Sequence, residues 1–319
     1  MSRYGGPEVL EVAEAPRPAP AADQVLVRVA YAGVNFADVT LRRSGEAAPQ
    51  PLPLVPGLEA AGIVEAIGPS VTGLQVGQRV AALSWSLGAY AEWLCTSAAL
   101  AFPLPEDMAL ADGAAILLQG VTCHYLLHDA FAVGPGSTVL VHAAAGGMGT
   151  LLCQWASRLG ARVLGTVSTP AKAEVARAAG AEQVVLYERD DFLEAVRAWT
   201  GGEGVDYVID GVGRATLDRS LEAVAVRGTV SFYGWASGTP EPLDPRALLK
   251  RSVVLRGGNV MNALSPASQG QARARSVFDA VRAGWLRPLV GDILPLAEAE
   301  RVHRRLEARV TSGKSLLRI

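Results

Sequence analysis

The stretch VLVHAAAGGMGT, from Val139 to Thr150, decides the fold of this chain. It begins as an apolar run, breaks into small residues after a histidine, and leads into the next apolar stretch. A strand that ends in a glycine-rich turn and continues as a helix can bind the pyrophosphate of a dinucleotide, because bare backbone and a helix N-terminus can approach it. An ordinary strand-to-helix turn is the alternative, and the surrounding pattern separates the two.

Strand-like and helix-like runs alternate around this stretch. The runs STVLVH, ARVLGTV and EQVVLY are strand-like, whereas TLLCQWASRLG, PAKAEVARAAG and DDFLEAVRAWTGG are helical in character. Such alternation builds right-handed βαβ units and a doubly wound parallel sheet. The glycine-rich turn follows the first strand of the series, where a dinucleotide fingerprint belongs. We therefore predict a doubly wound, dinucleotide-binding domain over residues 119–263, with Ala144, Gly146 and Gly149 as an AxGxxG variant of the fingerprint.

The rest of the chain has a different texture. The runs QVLVRVAYAGV, AAGIVEAIG and QRVAAL are strand-like and separated by Gly and Pro, which is typical of an antiparallel barrel or sandwich. The tail from about Leu264 is mixed, with amphipathic helices in SVFDAVRAGW and AEAERVHRRLEARV. The sequence thus predicts an α/β protein of two domains, in which a β-rich part up to about residue 118 precedes the alternating part and the mixed tail.

Composition narrows the class of partner. The net charge is -2, with acidic and basic residues interleaved, so no electrostatic footprint for nucleic acid is present. No run approaches the roughly 18 uninterrupted apolar residues of a membrane span. The first residues, MSRYGGPEVLEV, do not resemble the apolar segment of a secretory signal, so none is expected, and 3 cysteines are too few for a disulfide framework. We expect a cytoplasmic protein that binds a small molecule and neither nucleic acid nor membrane.

The choice of dinucleotide depends on residues about 20 positions beyond the glycine-rich turn, where NAD enzymes usually carry an acidic residue. Here the second strand ends in Ser168 and Thr169, Lys172 follows, and the first carboxylate is Glu174. A lysine beside hydroxyl groups suits a 2'-phosphate, which a carboxylate would repel. The pattern favours NADPH over NADH, unless Lys172 is only a solvated helix residue.

A set of motifs in a fixed order resembles one known family. These motifs are VNFADVTLRRSG, PGLEAAGIVEAIG, GAYAEW, LQGVTCHYLL, HAAAGGMGTLLCQWA, VDYVIDGVG and TSGKSLL. They are similar to those of the zinc-independent quinone oxidoreductases of the medium-chain dehydrogenase/reductase superfamily, the group that includes zeta-crystallin, over nearly the whole chain. The resemblance implies that residues 1–118 and 264–319 form a GroES-like catalytic domain and that residues 119–263 form a Rossmann domain. It also implies a cofactor in the cleft between the two domains, and a homodimer.

A bound metal is not expected. Catalytic zinc needs about three His, Cys or carboxylate ligands and structural zinc needs four. The chain has no CxxC, and Asn35 and Leu58 stand where zinc-dependent relatives carry a Cys and a His. The histidines are not spaced as a cluster and are interpreted as packed or surface residues: His124, His128, His142 and His303.

The resemblance also implies residue roles, with no dedicated acid or base. The residues expected to contact the acceptor are Asn35, Thr40 and Tyr233. Those expected around the nicotinamide end of the cofactor are Asn35, Thr122, Tyr233 and Gly234. The pyrophosphate is expected at Ala145, Gly146, Gly147 and Met148, and the 2'-phosphate at Ser168, Lys172, Tyr187 and Arg309. Alternatively, the two tyrosines are core residues at strand ends, and Arg309 is a charge that complements a helix dipole.

The sequence departs from the family in two places. Thr40 and Ala47 stand where close relatives often carry tyrosines at the mouth of the cleft. Losing two rings weakens stacking on a flat quinone by about 1 kcal/mol each, which leaves room for another acceptor. The family also opens with a short strand before RYGGPEVLEV, which we expect to be truncated or missing here, leaving a sheet edge less protected.

Three functions are compatible with these features. The first is an NADPH:quinone oxidoreductase, in which a quinone takes a hydride and its reduced oxyanion takes a proton from water. The second is an NADPH-dependent reductase of activated C=C bonds in enones or enoyl thioesters. The third is a nucleotide-binding structural or RNA-binding protein, as some crystallins are, and the intact glycine-rich loop argues against it.

Overall fold

The structure is a computed structural model that describes residues 1–44 and 51–319. The chain forms two compact units, one made of residues 1–121 and 264–319 and the other of residues 122–263. The first boundary between these units lies between residues 121 and 122, inside a helix, and the second lies between residues 263 and 264. The domain bounds expected from the sequence, 1–118 with 264–319 and 119–263, stay a prediction. A change of sequence texture does not mark the first boundary sharply, because one continuous helix crosses it.

The first unit is built on a seven-stranded sheet that is mostly antiparallel. Its strands are β1 (Gln24–Val34), β2 (Glu59–Ile67), β3 (Arg79–Leu83), β4 (Trp93–Ser97), β5 (Ala101–Pro103), β12 (Val290–Pro295) and β13 (Lys314–Arg318). The order is β12-β13-β1-β2-β3-β5, and β4 pairs with β1. The helices are α1 (Phe36–Ser44), α2 (Leu110–Tyr125), α9 (Ala267–Arg282) and α10 (Ala299–Glu307). The central strand β1 therefore joins both parts of the chain that make up this unit.

Alternate residues of β1 pack into one apolar cluster of the first unit. Val25, Val27 and Val29 lie on the same face of β1 and are buried with Leu94 and Leu317 in one apolar cluster. The only element before β1 in this described part of the chain is a 3-10 turn at Pro7–Val9.

The second unit has a sheet of six parallel strands. They are β6 (Thr138–Val141), β7 (Arg162–Val167), β8 (Gln183–Leu186), β9 (Val205–Asp210), β10 (Val224–Phe232) and β11 (Val254–Gly257), in the order β11-β10-β9-β6-β7-β8. The helices between these strands are α3 (Gly147–Arg158), α4 (Pro170–Ala178), α5 (Phe192–Trp199), α6 (Leu217–Ala223) and α7 (Arg246–Leu249), and α8 (Val260–Ala263) follows the last strand. The strand order reverses between β6 and β9, as in a doubly wound dinucleotide-binding fold. The predicted fold class is confirmed.

The central strands of this sheet are buried because helices cover both faces of the sheet. Val139, Leu140 and Val141 of β6 are completely buried, as are Val208 and Ile209 of β9. This explains why the strands read as continuous apolar runs rather than as alternating ones. Their carboxyl ends meet at one edge, and the residues that follow them form the candidate site.

The helical segment Leu110–Ala130 is long and apolar enough to cross a membrane by length and composition. Its apolar window is 61% buried inside the protein. Core helices have the same properties, so the expectation that membranes are not partners stays a prediction. Cys95, Cys123 and Cys153 are free thiols.

Candidate functional site

The glycine-rich turn joins β6 to α3. Ala143 lies in the left-handed region with φ 53°, and its carbonyl oxygen accepts a hydrogen bond from Gly146 N–H at 2.9 Å. A Cβ atom on Gly149 would lie 2.3 Å from that oxygen, so only glycine lets α3 begin this close to the turn. A Cβ atom on Gly146 would have one neighbour within 4 Å, the same oxygen at 3.3 Å. Gly149 therefore serves packing, whereas Gly146 keeps an open face.

The N-terminus of α3 is not closed by a side chain. Its N-cap is Gly146, which makes no side-chain cap, whereas the N-cap of α4, Thr169, accepts the N–H of Lys172 at 3.3 Å. Unpaired N–H groups of a first turn, at the positive end of the helix dipole, suit a phosphate. The structure brings together the four residues predicted to face the pyrophosphate: Ala145, Gly146, Gly147 and Met148.

Three residues predicted to bind the 2'-phosphate come from neighbouring strand ends. Ser168 follows β7, and Lys172 lies in the first turn of α4. The N–H of Tyr187, which follows β8, donates to the carbonyl oxygen of Val167 at 3.1 Å, so Tyr187 lies beside the segment that contains Ser168. Lys172 is half-buried and Tyr187 is 40% exposed. An exposed ring does not fit the alternative that Tyr187 is a core residue.

Tyr233 and Gly234 follow β10. The N–H of Tyr233 donates to the carbonyl oxygen of Asp210 at 3.0 Å, which ties it to the end of β9. The ring packs on Gly211, where a Cβ atom would lie 2.5 Å from Tyr233 Cζ. Burial raises the pKa of Tyr233, so its hydroxyl group stays protonated. Gly234 also approaches Gly211 closely, because a Cβ atom added to Gly234 would lie 3.1 Å from the carbonyl oxygen of Gly211.

Thr122 lies near the end of α2, where 9% of its surface is exposed. The next residue, Cys123, contacts Met148, with its Sγ 3.9 Å from the carbonyl oxygen and 4.0 Å from Sδ. This contact places the end of α2 against the first turn of α3. Burial raises the pKa of Cys123 well above its ordinary value, so the thiol is unreactive.

A buried polar network lies at the carboxyl ends of β6, β7 and β9, which the sequence analysis did not predict. His142 directly follows β6, with Nδ1 3.0 Å from Thr166 Oγ1 and Nε2 3.0 Å from Ser220 Oγ. The hydroxyl of Ser220 donates to Asp210 Oδ2 at 2.7 Å. The other oxygen, Asp210 Oδ1, accepts the N–H of Gly213 at 3.0 Å among other donors. His142 therefore connects the strand before the glycine-rich turn to the loop after β9.

The hydrogens in this network have one consistent order. Because the proton of Ser220 is used on Asp210, His142 Nε2 must carry the proton that it shares with Ser220 Oγ. His142 Nδ1 then accepts from the hydroxyl of Thr166. Burial lowers the pKa of His142 more than the charge of Asp210 raises it, so the ring is neutral.

Asn35, in the first unit, lies between two buried charges. Its Nδ2 donates to Glu59 Oε1 at 2.7 Å, and its Oδ1 accepts from Lys314 Nζ at 2.6 Å. Lys314 also forms an ion pair with Glu59, and both side chains are almost completely buried. The sequence analysis missed Glu59 and Lys314, although the motifs PGLEAAG and TSGKSLL contain them.

Asp38 holds the backbone of Asn35. Its Oδ2 accepts the N–H of Asn35 at 2.8 Å and the hydroxyl of Tyr90 at 3.2 Å, and Tyr90 Oη lies 3.1 Å from His303 Nε2. Burial raises the pKa of Asp38 from 3.8 to about 7. Burial lowers the pKa of His303 to about 3, and the nearby charge of Arg42 acts in the same direction. His142 and His303 are thus buried members of hydrogen-bonded groups.

Other predicted residues lie elsewhere in the first unit. Thr40, in α1, donates its hydroxyl to the carbonyl oxygen of Phe36 at 3.1 Å, four residues back. Arg309 is exposed just beyond the end of α10, in the left-handed conformation with φ 56°. That position agrees with the alternative of a charge at a helix C-terminus. Ala47 lies outside the described residues.

Within residues 1–44 and 51–319, no group of three or more His, Cys, Asp or Glu side chains is arranged to hold a metal ion. His124 and His128 pack against each other with ring centroids 4.6 Å apart. Leu58 offers no donor atom, and Asn35 uses its amide on Glu59 and Lys314. The donor set at these positions therefore does not fit a catalytic zinc ion.

Comparisons with known proteins agree with this arrangement. The family model described as "Alcohol dehydrogenase GroES-like domain" matches residues 21–106, and the one described as "Zinc-binding dehydrogenase" matches residues 147–273. The chain is 40% identical to 2-haloacrylate reductase of Burkholderia sp, over 99% of this chain and 97% of that protein. It is 37% identical to quinone oxidoreductase 1 of Escherichia coli (strain K12), with the same coverage of each.

A solved structure is also similar. The quinone oxidoreductase of Escherichia coli complexed with NADPH matches with a TM-score of 0.97 and 36% identity, covering 100% of this chain and 98% of that one. Fold, site and relatives together define an oxidoreductase with a GroES-like and a Rossmann domain. The chain belongs to the quinone oxidoreductase family of the medium-chain dehydrogenase/reductase superfamily.

Proposed function

We propose that this chain is an NADPH-dependent quinone oxidoreductase. The observation that carries the proposal is the open N-terminus of α3 at Gly146, next in the sheet to strand ends that present Ser168, Lys172 and Tyr187. The first feature suits a pyrophosphate, and the second suits a 2'-phosphate without a competing carboxylate. The relative crystallised with NADPH supports the same cofactor.

NADPH supplies the hydride when it is bound. The backbone of Gly146 and Gly147 binds the pyrophosphate, and Lys172 neutralises part of the 2'-phosphate charge. The ends of α2 and β10 shape the nicotinamide side, through Thr122, Tyr233 and Gly234. We assign further roles to residues of the first unit: Asn35 toward the nicotinamide ribose and the acceptor, Thr40 toward the acceptor, and Arg309 toward the 2'-phosphate.

In this proposal, the side chains of the second unit hold the reactants in position and do not transfer protons. His142 is neutral, both it and Asp210 use their polar atoms in hydrogen bonds with each other's neighbours, and the raised pKa of Tyr233 keeps its hydroxyl protonated. A quinone suits such a site, because its reduced oxyanion takes protons from water without a protein acid. These residues accelerate the reaction by holding the reactants in place.

Titration calorimetry of the protein with NADPH, NADH and 2'-phosphoadenosine tests the cofactor assignment without any acceptor. We expect NADPH to bind at least about tenfold more tightly than NADH, from one charge-assisted contact. We also expect the phosphorylated nucleoside to compete with NADPH. Equal affinity for the two dinucleotides would contradict the assignment.

A reductase of activated C=C bonds is the second candidate, and the relative named 2-haloacrylate reductase favours it. Thr40, which stands where the family often has a tyrosine, also favours this candidate, because a short aliphatic acceptor needs no aromatic ring to stack on. Turnover with 2-chloroacrylate, compared with 1,4-naphthoquinone at matched concentration, separates the two. We further propose that the protein is cytoplasmic and that it is a homodimer. Sedimentation of the purified protein tests the oligomeric state.

A further inference from the structure

Asn35, Glu59 and Lys314 meet at one end of three neighbouring strands. Asn35 directly follows β1, Glu59 opens β2 and Lys314 opens β13, with β1 paired to both other strands. Gly33 makes the meeting possible, because a Cβ atom there would lie 2.5 Å from Glu59 Oε1. The other carboxylate oxygen, Glu59 Oε2, accepts the N–H of Leu118 in α2 at 3.0 Å.

The two charges select one orientation of the Asn35 amide. In the observed orientation Oδ1 faces the ammonium group of Lys314 and Nδ2 faces the carboxylate of Glu59. Turning the amide by 180° would place its oxygen against a carboxylate and its NH₂ against an ammonium group, and both contacts would repel. The Asn35 carboxamide is not used to cap α1: the N–H of Asp38 donates to the backbone carbonyl oxygen of Asn35 at 3.1 Å, and the carboxylate of Asp38 accepts Asn35 N–H at 2.8 Å.

A buried ion pair is not explained by stability alone. Removing two charges from water costs about as much as their attraction returns, and apolar side chains of similar size often replace such a pair without loss. Here each charge has a second partner on the same amide. Among the hydrogen bonds of the described residues, one N–H of Nδ2 and one lone pair of Oδ1 have no partner, so they can bind another molecule in directions that the two charges fix.

We propose that Glu59 and Lys314 are positioning residues that hold the carboxamide of Asn35 in the single orientation in which it contacts the bound reactants. The inference rests on the proposed function, because it takes the contact of Asn35 with cofactor or acceptor from there. It adds two residues, 255 positions apart in sequence, to the machinery of the reaction.

The test is a double-mutant cycle on kcat/KM for NADPH at saturating 1,4-naphthoquinone. Asn35→Ala is made in the wild type and in the Glu59→Leu/Lys314→Met background. In the wild type we expect a loss of about tenfold, as for one or two hydrogen bonds. In the apolar background, which should lose about as much by itself, we expect Asn35→Ala to cost less than about twofold, since the amide is no longer oriented.

A matched control pair lies in the same unit. Arg305 Nε and Asp292 Oδ2 are 2.9 Å apart between α10 and β12. In the Asp292→Leu/Arg305→Met background, Asn35→Ala should still cost the full factor of about ten. If the apolar Glu59/Lys314 variant does not fold by circular dichroism, Glu59→Gln/Lys314→Gln replaces it, with the same expected non-additivity, because this variant removes both charges and leaves neither buried without its partner.

Two outcomes overturn the inference in different ways. An equal loss from Asn35→Ala in every background shows that Glu59 and Lys314 do not act through Asn35, while the proposed function stands. No loss from Asn35→Ala in the wild type removes the proposed role of Asn35 and the inference with it.

Discussion

Replacing Lys172 with alanine should separate NADPH from NADH. The side chain is half-buried in the first turn of α4, beside the ends of β7 and β8, so its contact with a 2'-phosphate is partly shielded from solvent. A charge-assisted hydrogen bond of this kind contributes about 1.5 to 3 kcal/mol. That energy corresponds to roughly 10- to 150-fold in affinity. Because only NADPH carries the phosphate, the loss should leave NADH unaffected.

Steady-state kinetics with each cofactor measure this effect. We expect Lys172→Ala to raise the KM for NADPH more than about tenfold with little change in kcat, as when uniform binding is lost. Added salt should reduce the difference between wild type and variant, since screening weakens the contact in the wild type. Arg177→Ala is the control on the same helix, because Arg177 is ion-paired with Glu174 at 2.6 Å on the exposed surface. If Lys172→Ala weakened the binding of NADPH and NADH equally, Lys172 would not be a contact of the 2'-phosphate.

Three other changes test the packing of the glycine-rich turn, the titration of Asp38 and the expected lack of a zinc site. Gly149→Ala should lower the melting temperature by several degrees, because its Cβ atom would lie 2.3 Å from Ala143 O, whereas Gly146→Ala should leave it nearly unchanged and weaken NADPH binding; thermal melts that do not distinguish the two would contradict this. Asp38→Asn should flatten the dependence of stability on pH: the folded-state pKa of about 7 means that Asp38 contributes stability at low pH that is lost as pH rises from about 4 to 7. Urea unfolding of wild type and variant at several pH values measures it, and parallel profiles would count against it. EDTA should change neither kcat nor the melting temperature, since Asn35 and Leu58 do not supply a zinc site; a loss of activity that added zinc restores would show otherwise.

The parts of the site that come from one short segment were predictable from the sequence. The glycine-rich turn lies between a strand and a helix that its own residues specify, and its position in the βαβ series follows from local periodicity. Ser168 and Lys172 follow the next strand for the same reason. Local patterns therefore suffice to propose the residues on the phosphate side of the candidate site.

The polar networks were not predictable in the same way, because their members are far apart in sequence. His142 meets Ser220, 78 residues later, and Glu59 meets Lys314, 255 residues later. These contacts depend on strand order, which local periodicity does not contain. A signal was present all the same: Asp210 ends an apolar strand and Glu59 begins one, and a carboxylate at such a buried position requires partners.

Reduction of 1,4-naphthoquinone with NADPH, measured by loss of absorbance of the reduced cofactor, tests directly whether this chain is an NADPH-dependent quinone oxidoreductase. The account predicts saturable turnover with NADPH, with kcat/KM at least about tenfold lower when NADH replaces it, and faster reduction of the quinone than of any simple aldehyde. Faster reduction of an aldehyde than of the quinone, or equal use of the two cofactors, would contradict it.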